Sequence, residues 1–204
     1  MITIVDYGLG NIRAFSNLYK RVNIEVRTAT RPEELEGATR LILPGVGAFD
    51  HAMGLLQASG MRPLLDELVL ERKLPVLGVC VGMQILAERS DEGQLPGLGW
   101  IAGTVRALSG VAQADALPLP HMGWNDVEPV PGQPLFAGLE QGARFYFLHS
   151  FYFECAQAES SAATTSYGID FSCAVRSGNV HGVQFHPEKS HHFGAMLLKN
   201  FAQH

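Results

Sequence analysis

Cys80 stands between two glycines in Gly78-Val79-Cys80-Val81-Gly82, directly after the apolar run Pro75 to Val79. A nucleophile-type side chain flanked by glycines where a strand hands over to a helix has the pattern of a nucleophile elbow, since glycine permits the sharp turn and leaves room for neighbouring backbone. The first N–H groups of a helix have no partner within it, and its positive dipole end favours a thiolate over a thiol. Val81 N–H lies at that end and is a donor for an oxyanion. Taken alone, the pattern also fits a small buried hydrophobe after a core strand, which is what most free cysteines are.

A reacting cysteine needs a base to take and return its proton, and the base needs a third group to fix its tautomer and orientation. Both types of group occur together in Val183-Gln184-Phe185-His186-Pro187-Glu188, where an apolar strand ends in a histidine with a carboxylate two positions on. Pro187 holds the chain extended between them, a compact way to bring Glu188 back against the His186 imidazole. The bland alternative is a histidine at a strand end and a solvated glutamate. The other histidines offer less: His181 is five residues before His186, His191 and His192 fall in the first turn of a helix, and none makes H-E-x-x-H spacing. No metal site is expected.

These residues need a scaffold that ends two buried strands side by side. The first half of the chain alternates short β-branched runs with helical patterns, as a parallel sheet with crossover helices does. Strands are expected at Ile2–Asp6, Ile24–Thr28, Arg40–Leu43 and Pro75–Val79, the third stopping at Pro44. Helices are expected over Asn11–Arg21, about 49–58, 61–73 and Val81–Arg89. Thr30-Arg31-Pro32-Glu33 reads as a capping box opening a short helix. From about Gly99 longer alternating segments (99–108, 121–130, 144–154, 163–175 and 180–185) predict antiparallel or mixed strands joined to the parallel sheet. A capped helix from Ser190 to Phe201 should carry Phe193, Met196, Leu197 and Phe201 on one face. The fold class is α/β: a mostly parallel sheet with helices on both faces plus antiparallel C-terminal strands, in a single domain over residues 1–204.

Composition narrows the partners. Hydrophobic residues make up 47% of the chain and charged residues 17%, an ordinary globular balance. The net charge of −5 provides no Lys/Arg stripe to displace counterions from a phosphate backbone, so nucleic acid is not an expected partner. The chain opens on Ile2-Thr3-Ile4-Val5-Asp6 with no basic n-region, cleavage site or long apolar stretch, which points to neither secretion nor a membrane span. Three cysteines (Cys80, Cys155, Cys173) are too few and too irregular for a disulfide framework, and a reducing cytosol would keep a thiol free to react.

Gly78-Val79-Cys80-Val81-Gly82-Met83-Gln84 resembles the G-x-C-x-G-x-Q motif of class I (triad) glutamine amidotransferases, and Phe185-His186-Pro187-Glu188 resembles their terminal F-H-P-E. The two stand in the right order, and Pro44-Gly45-Val46-Gly47 is similar to the family's oxyanion-strand loop. Within the family the likeness extends over nearly the whole chain to the branch of glutaminases that serves imidazole glycerol phosphate synthase in histidine biosynthesis. Val5-Asp6-Tyr7-Gly8-Leu9-Gly10-Asn11, Pro44 to Phe49, His121-Met122-Gly123-Trp124-Asn125, Phe147-Leu148-His149-Ser150 and His186-Pro187-Glu188-Lys189-Ser190 carry it.

The resemblance implies that Cys80 attacks the amide carbon of L-glutamine, that His186 protonates the departing ammonia and that Glu188 orients His186. It implies an oxyanion hole from Val81 N–H and a backbone N–H of Val46 or Gly47, and a substrate site of Gly47, Gln84, Glu92, His149, Ser150 and Phe151. Glu92 would meet the α-ammonium group; Phe151 stands where the family usually has tyrosine. It also implies docking on a (β/α)8 cyclase through Asn11, Pro120, Met122, Trp124 and Lys189, with ammonia passed down the barrel and no cofactor. Since a glycine-flanked peptide flips at low steric cost, the Gly45-Val46-Gly47 loop is expected to switch between N–H-in and carbonyl-in arrangements, the liganded cyclase favouring the former. Two other readings share Cys80: a glutaminase subunit of another synthase, such as pyridoxal phosphate synthase, and a non-catalytic α/β protein sensing oxidation at that thiol. The branch-specific segments argue against the first, and the second leaves Glu188 without a task.

Overall fold

The computed structural model describes residues 1–111 and 117–204. Its elements are β1 (Ile2–Val5), α1 (Ile12–Arg21), β2 (Val26–Ala29), β3 (Arg40–Gly45), α2 (Phe49–Ala58), α3 (Arg62–Asp66), β4 (Val76–Cys80) and α4 (Val81–Gln84) in the first part of the chain. The second part contributes β5 (Arg89–Ser90), β6 (Gly103–Ala107), β7 (His121–Asp126), β8 (Glu128–Pro129), β9 (Arg144–His149), β10 (Phe151–Cys155), β11 (Ser161–Tyr167), β12 (Ile169–Ser177), β13 (Val180–Val183) and α5 (His191–Gln203).

The main sheet runs in the order β2-β1-β3-β4-β13-β12-β10-β6-β5. Its first five strands are parallel neighbours, and β12 and β10 then pair antiparallel. Successive residues of a strand point to opposite faces, so the complete burial of Ile2–Val5 and Val76–Cys80 requires cover on both sides of the sheet. That cover comes from helices, with α1 packed on α5 and α2 on α4. No helix among the described residues is long and apolar enough to cross a membrane.

The strand pairing decides where chemistry can occur. β4 and β13 lie side by side in register from Val180↔Val76 to Val183↔Val79. Cys80 at the end of one strand and Phe185-His186 just past the other therefore leave the sheet at the same edge, where ligand sites of open α/β sheets occur.

Several expectations change in detail. The helix expected over Val81–Arg89 is helical only to Gln84. The carbonyls that would carry it on are taken by the segment that follows: Ile85 O accepts from Leu98 N–H (2.8 Å), Leu86 O from Ile101 N–H (3.1 Å) and Ala87 O from Gly99 N–H (3.0 Å). Pro44 does not end β3. The ladder to β1 stops at Ile42, so the missing N–H costs no bond there, and the Pro44 carbonyl instead accepts the Tyr7 hydroxyl at 2.8 Å. The second strand begins at Val26 rather than Ile24, because Asn23 adopts φ +56° and Ile24 N–H turns back to Tyr19 O (3.0 Å).

The box after β2 is closed by Glu34 and not by Glu33: its carboxylate accepts from Thr30 N–H (2.7 Å) and Arg31 N–H (3.2 Å). The helix at 61–73 becomes a π-helical turn over Glu67–Glu71. The single segment expected at 163–175 is a hairpin, β11 and β12, turning at Gly168 with φ +74°. β7 pairs with β9 in a separate two-stranded ribbon instead of joining the main sheet. On α5, Met196 is 40% exposed while Gly194, Leu197, Leu198 and Phe201 are buried, so the inward face is rotated from the one expected.

Candidate active site

The turn at Cys80 is a strained one. Cys80 adopts φ +55° and ψ −114°, a region non-glycine residues rarely occupy and which persists only where the surroundings impose it. Three glycines impose it here. A Cβ on Gly78 would sit 2.5 Å from Gly82 O, one on Gly82 would overlap the Leu43 carbonyl, and one on Gly45 would overlap Gly82 N. Backbone packed this closely locks the elbow against β3 and places Val81 beside the Gly45-Val46-Gly47 loop. Gly45 is held by pairing with Cys80, whereas Gly47 lies beyond that ladder at φ +86°, a conformation glycine adopts without strain.

His186 is fixed by its backbone as well as its ring. Its N–H donates to Tyr146 O of β9 (2.8 Å). Its carbonyl accepts from the Ser190 hydroxyl (2.6 Å), and the same hydroxyl accepts from Tyr146 N–H (3.0 Å). Ser190 occupies the N-cap position of α5, yet its side chain makes no capping bond to the helix. α5 approaches the turn closely, because a Cβ on Gly194 would overlap the Pro187 carbonyl.

The His186 Nδ1–H donates to Glu188 Oε1 at 2.9 Å, and both side chains are almost wholly buried. A carboxylate can only accept, so this bond settles the tautomer and leaves Nε2 for the nucleophile. Burial is the largest influence on the imidazole and disfavours its charged form. Hydrogen bonding to Cys80 and Glu188, together with their charges, outweighs it and raises the His186 pKa to about 9. His186 is thus protonated at neutral pH, poised to deliver a proton.

Cys80, Val81 and His186 open onto a cavity of about 310 Å³. Val46, Gly47, Gln84, Glu92, His149, Ser150 and Phe151 line it too, so every substrate and oxyanion residue expected from sequence converges there. Glu92 is held at the N-terminus of α2, accepting from Phe49 N–H at 2.9 Å. Asp50 clamps the loop that follows, accepting from Gln94 N–H (2.8 Å) and Leu95 N–H (3.0 Å). The carboxylate of Glu92 offers an acceptor of the right charge for an ammonium group.

Of the residues expected at a partner interface, Pro120 and Lys189 line the cavity mouth. Asn11 is exposed at the start of α1. Met122 is 64% and Trp124 39% exposed, Trp124 stacking on His191 at 5.4 Å between centroids. Large apolar side chains left open beside a cavity mark a surface suited to covering by another protein.

Sequence reasoning passed over Leu148, Gln184 and the role of His121. Leu148 lines the cavity. Gln184 is fully buried and contacts Cys80. His121 is buried in bonding contact with His149. A glutamine within the apolar run Val180 to Phe185 was itself a signal, since a buried amide has to find partners.

Comparison with known proteins follows the same lines. The family model for glutamine amidotransferase class-I matches residues 3–204. The chain belongs to the class I glutamine amidotransferases. Among this amidotransferase's relatives is a Bdellovibrio bacteriovorus protein named imidazole glycerol phosphate synthase subunit HisH, 62% identical over 203 residues and covering 100% of both chains. A Leptospira borgpetersenii protein of the same name is 48% identical over 202 residues, covering 99% of each. Among solved structures, a glutamine amidotransferase superposes with a TM-score of 0.76 at 22% identity, covering 99% of this chain and 97% of that one. Another glutamine amidotransferase, from Thermotoga maritima, superposes at 0.65 with 19% identity, covering 99% and 80%. These two show the shared fold.

Proposed function

We propose that this amidotransferase is the glutaminase subunit of imidazole glycerol phosphate synthase, hydrolysing L-glutamine to glutamate and ammonia and passing the ammonia to a (β/α)8 cyclase that forms imidazole glycerol phosphate and AICAR. The observation that carries the chemistry is the convergence of the Cys80 elbow and the buried His186–Glu188 pair on one cavity. Full-length identity of 62% to a protein of that name supports the choice of synthase.

The geometry supports the following sequence. Cys80 Sγ attacks the side-chain amide carbon of glutamine, and the carbonyl oxygen takes up negative charge facing Val81 N–H and a backbone N–H of Val46 or Gly47. One such donor is typically worth about 10²–10³ in turnover. His186, protonated and held by Glu188, gives its proton to the leaving nitrogen, and ammonia departs as the C–N bond breaks. Water then attacks the resulting thioester, giving its proton to the now neutral His186, and as the C–S bond breaks glutamate leaves and the Cys80 thiolate and protonated His186 are restored. Gln84, Glu92, His149, Ser150 and Phe151 surround the remainder of the substrate.

Asn11, Pro120, Met122, Trp124 and Lys189 form the docking surface for the cyclase in this reading, which places ammonia release beside the partner. The freedom at Gly47 gives the partner a peptide to bias toward the N–H-in state, so that glutamine is spent only when an acceptor waits. Glutamine turnover of the chain alone, with the cyclase, and with the cyclase plus its nucleotide ligand tests the assignment. Turnover should rise along that series. Hydrolysis absent under all three conditions would overturn the function, and equal turnover in all three would overturn only the switch.

A further inference from the structure

Behind the nucleophile lies a run of hydrogen bonds whose directions can be read from its fixed end. The carbonyl of Phe151 only accepts. Gln84 Nε2 lies 3.3 Å from it, so the Gln84 amide must present its NH₂ end there. The same NH₂ group donates to Gln184 Oε1 at 3.1 Å. With its oxygen engaged, Gln184 turns its own NH₂ end toward Cys80 Sγ, 3.8 Å away. Gln184 is fully buried and lies off the cavity lining, so protein groups have to satisfy its amide.

From these contacts we infer that Gln184 is a positioning residue for the nucleophile, its amide N–H holding Cys80 Sγ as the thiolate. The two ionisation states of Cys80 have different partners. As a thiol, S–H can donate to Leu148 O, 4.0 Å away; as a thiolate, Sγ can only accept, and Gln184 is the side-chain amide in place to donate. Hydrogen bonding to the charged form favours that form. Among the described residues, the ionisable groups that sense Cys80 are His186 and Tyr7, whose hydroxyl is tied to Pro44 O. Neither replaces the Gln184 contact: His186 has to give its Nε2 proton to the leaving group during turnover, and the Tyr7 hydroxyl donates to Pro44 O, whereas the Gln184 amide can stay in place throughout.

The inference rests on Cys80 being the nucleophile, and the two can fail separately. The full-length chain is alkylated with iodoacetamide across a pH series, and the rate of modification at Cys80 is followed by peptide mass spectrometry. Gln184→Met keeps the length and removes the donor, and Gln184→Glu puts an acceptor in its place. The pH midpoint of alkylation should rise by about one unit in Gln184→Met and further in Gln184→Glu. In the cyclase complex kcat should fall about tenfold in Gln184→Met, with KM for glutamine changed by less than about twofold. Alkylation profiles superimposing on the wild type in both variants would overturn the inference, whatever happened to kcat. Should either variant not fold, the wild-type chain supplies the reading: the Gln184 side-chain amide resonances should titrate with the Cys80 thiolate absorbance and lose that response in Cys80→Ala. Amide resonances indifferent to Cys80 would overturn it equally. Turnover retained in Cys80→Ala would instead remove the functional reading itself.

Discussion

At the residue scale, the site separates two kinds of histidine by their surroundings. His186 is buried against a carboxylate and a thiol, and its pKa is raised to about 9. His121 and His149 are buried against each other, His121 Nδ1 and His149 Nε2 being 2.9 Å apart. Burial lowers the first to about 4 and the second to about 3, the neighbouring imidazole adding to the effect on His149. Since His149 Nδ1 donates to Phe151 O (2.8 Å), its Nε2 accepts and His121 Nδ1 must carry a proton. A histidine NMR titration should find both rings neutral and Nδ1-protonated at pH 5; either ring titrating near 6.5 would contradict the geometry. Their folded pKa values lie below that of an unfolded imidazole, so the stability they contribute is complete above pH 6.5 and is lost as pH falls toward 4 and then 3. His186 has the opposite sign, its contribution present below pH 6.5 and lost as pH rises through 9.

Activity carries the His186 value as well. Glutamine turnover should fall as pH rises through about 9, where the proton needed by departing ammonia is lost. Glu188→Gln removes one of the influences raising that pKa, so the alkaline limb should move to lower pH. Turnover itself should fall less than in His186→Ala, for which a loss of roughly 10²–10⁴-fold is expected. An alkaline limb unmoved by Glu188→Gln would refute the role assigned to the carboxylate.

At the element scale, β3, β4 and α5 hold the site through close backbone contacts that only glycine allows. Gly194→Ala would push its methyl into the Pro187 carbonyl and displace the turn carrying Glu188. A loss of about 1–3 kcal/mol is expected from overpacking, with turnover reduced more than stability alone accounts for. Gly54→Ala in α2 meets nothing within 4 Å and should stabilise by about 0.5–1 kcal/mol. Urea unfolding of both variants checks the pair, and similar shifts of the same sign would contradict this packing.

The same scale shows what the sequence could and could not convey. Strands at β1, β3 and β4 were legible because short runs rich in β-branched and aliphatic residues, Ile2–Val5, Leu41–Leu43 and Val76–Val79, stand between turn signals and are too short for a buried helix. The motif order carried Cys80, His186 and Glu188, and the family likeness carried the cavity lining. The early end of α4 was not legible, because it depends on carbonyls captured by residues 97–101 across a loop. The hairpin at Gly168 was hidden since alternation continues through the turn. Gln184 was visible as a polar residue in an apolar strand, but its partner lies a hundred positions away at Gln84.

At the scale of the whole molecule, the chain presents its cavity at one edge of a mixed sheet, and exposed Met122 and Trp124 lie on β7, where Met122 pairs with cavity-lining Leu148. Trp124 packs one face on His191. Trp124→Ala should therefore weaken cyclase binding about tenfold or more, as buried tryptophans at interfaces do, while leaving basal hydrolysis by the isolated chain unchanged. Calorimetric titration of the cyclase into the variant measures the first, and wild-type affinity would remove Trp124 from the docking surface.

The central claim is that Cys80 is the thiol that glutamine meets. Cys173 is completely buried, with burial pushing its thiol far up, and Cys155 is half-buried with its thiol raised for the same reason. The most direct measurement is peptide mass spectrometry of the cyclase complex after reaction with a glutamine-mimicking electrophile, with and without competing glutamine. The account predicts one label per chain, on Cys80, protected by glutamine. Stoichiometric labelling of Cys155 or Cys173 with Cys80 untouched would contradict it.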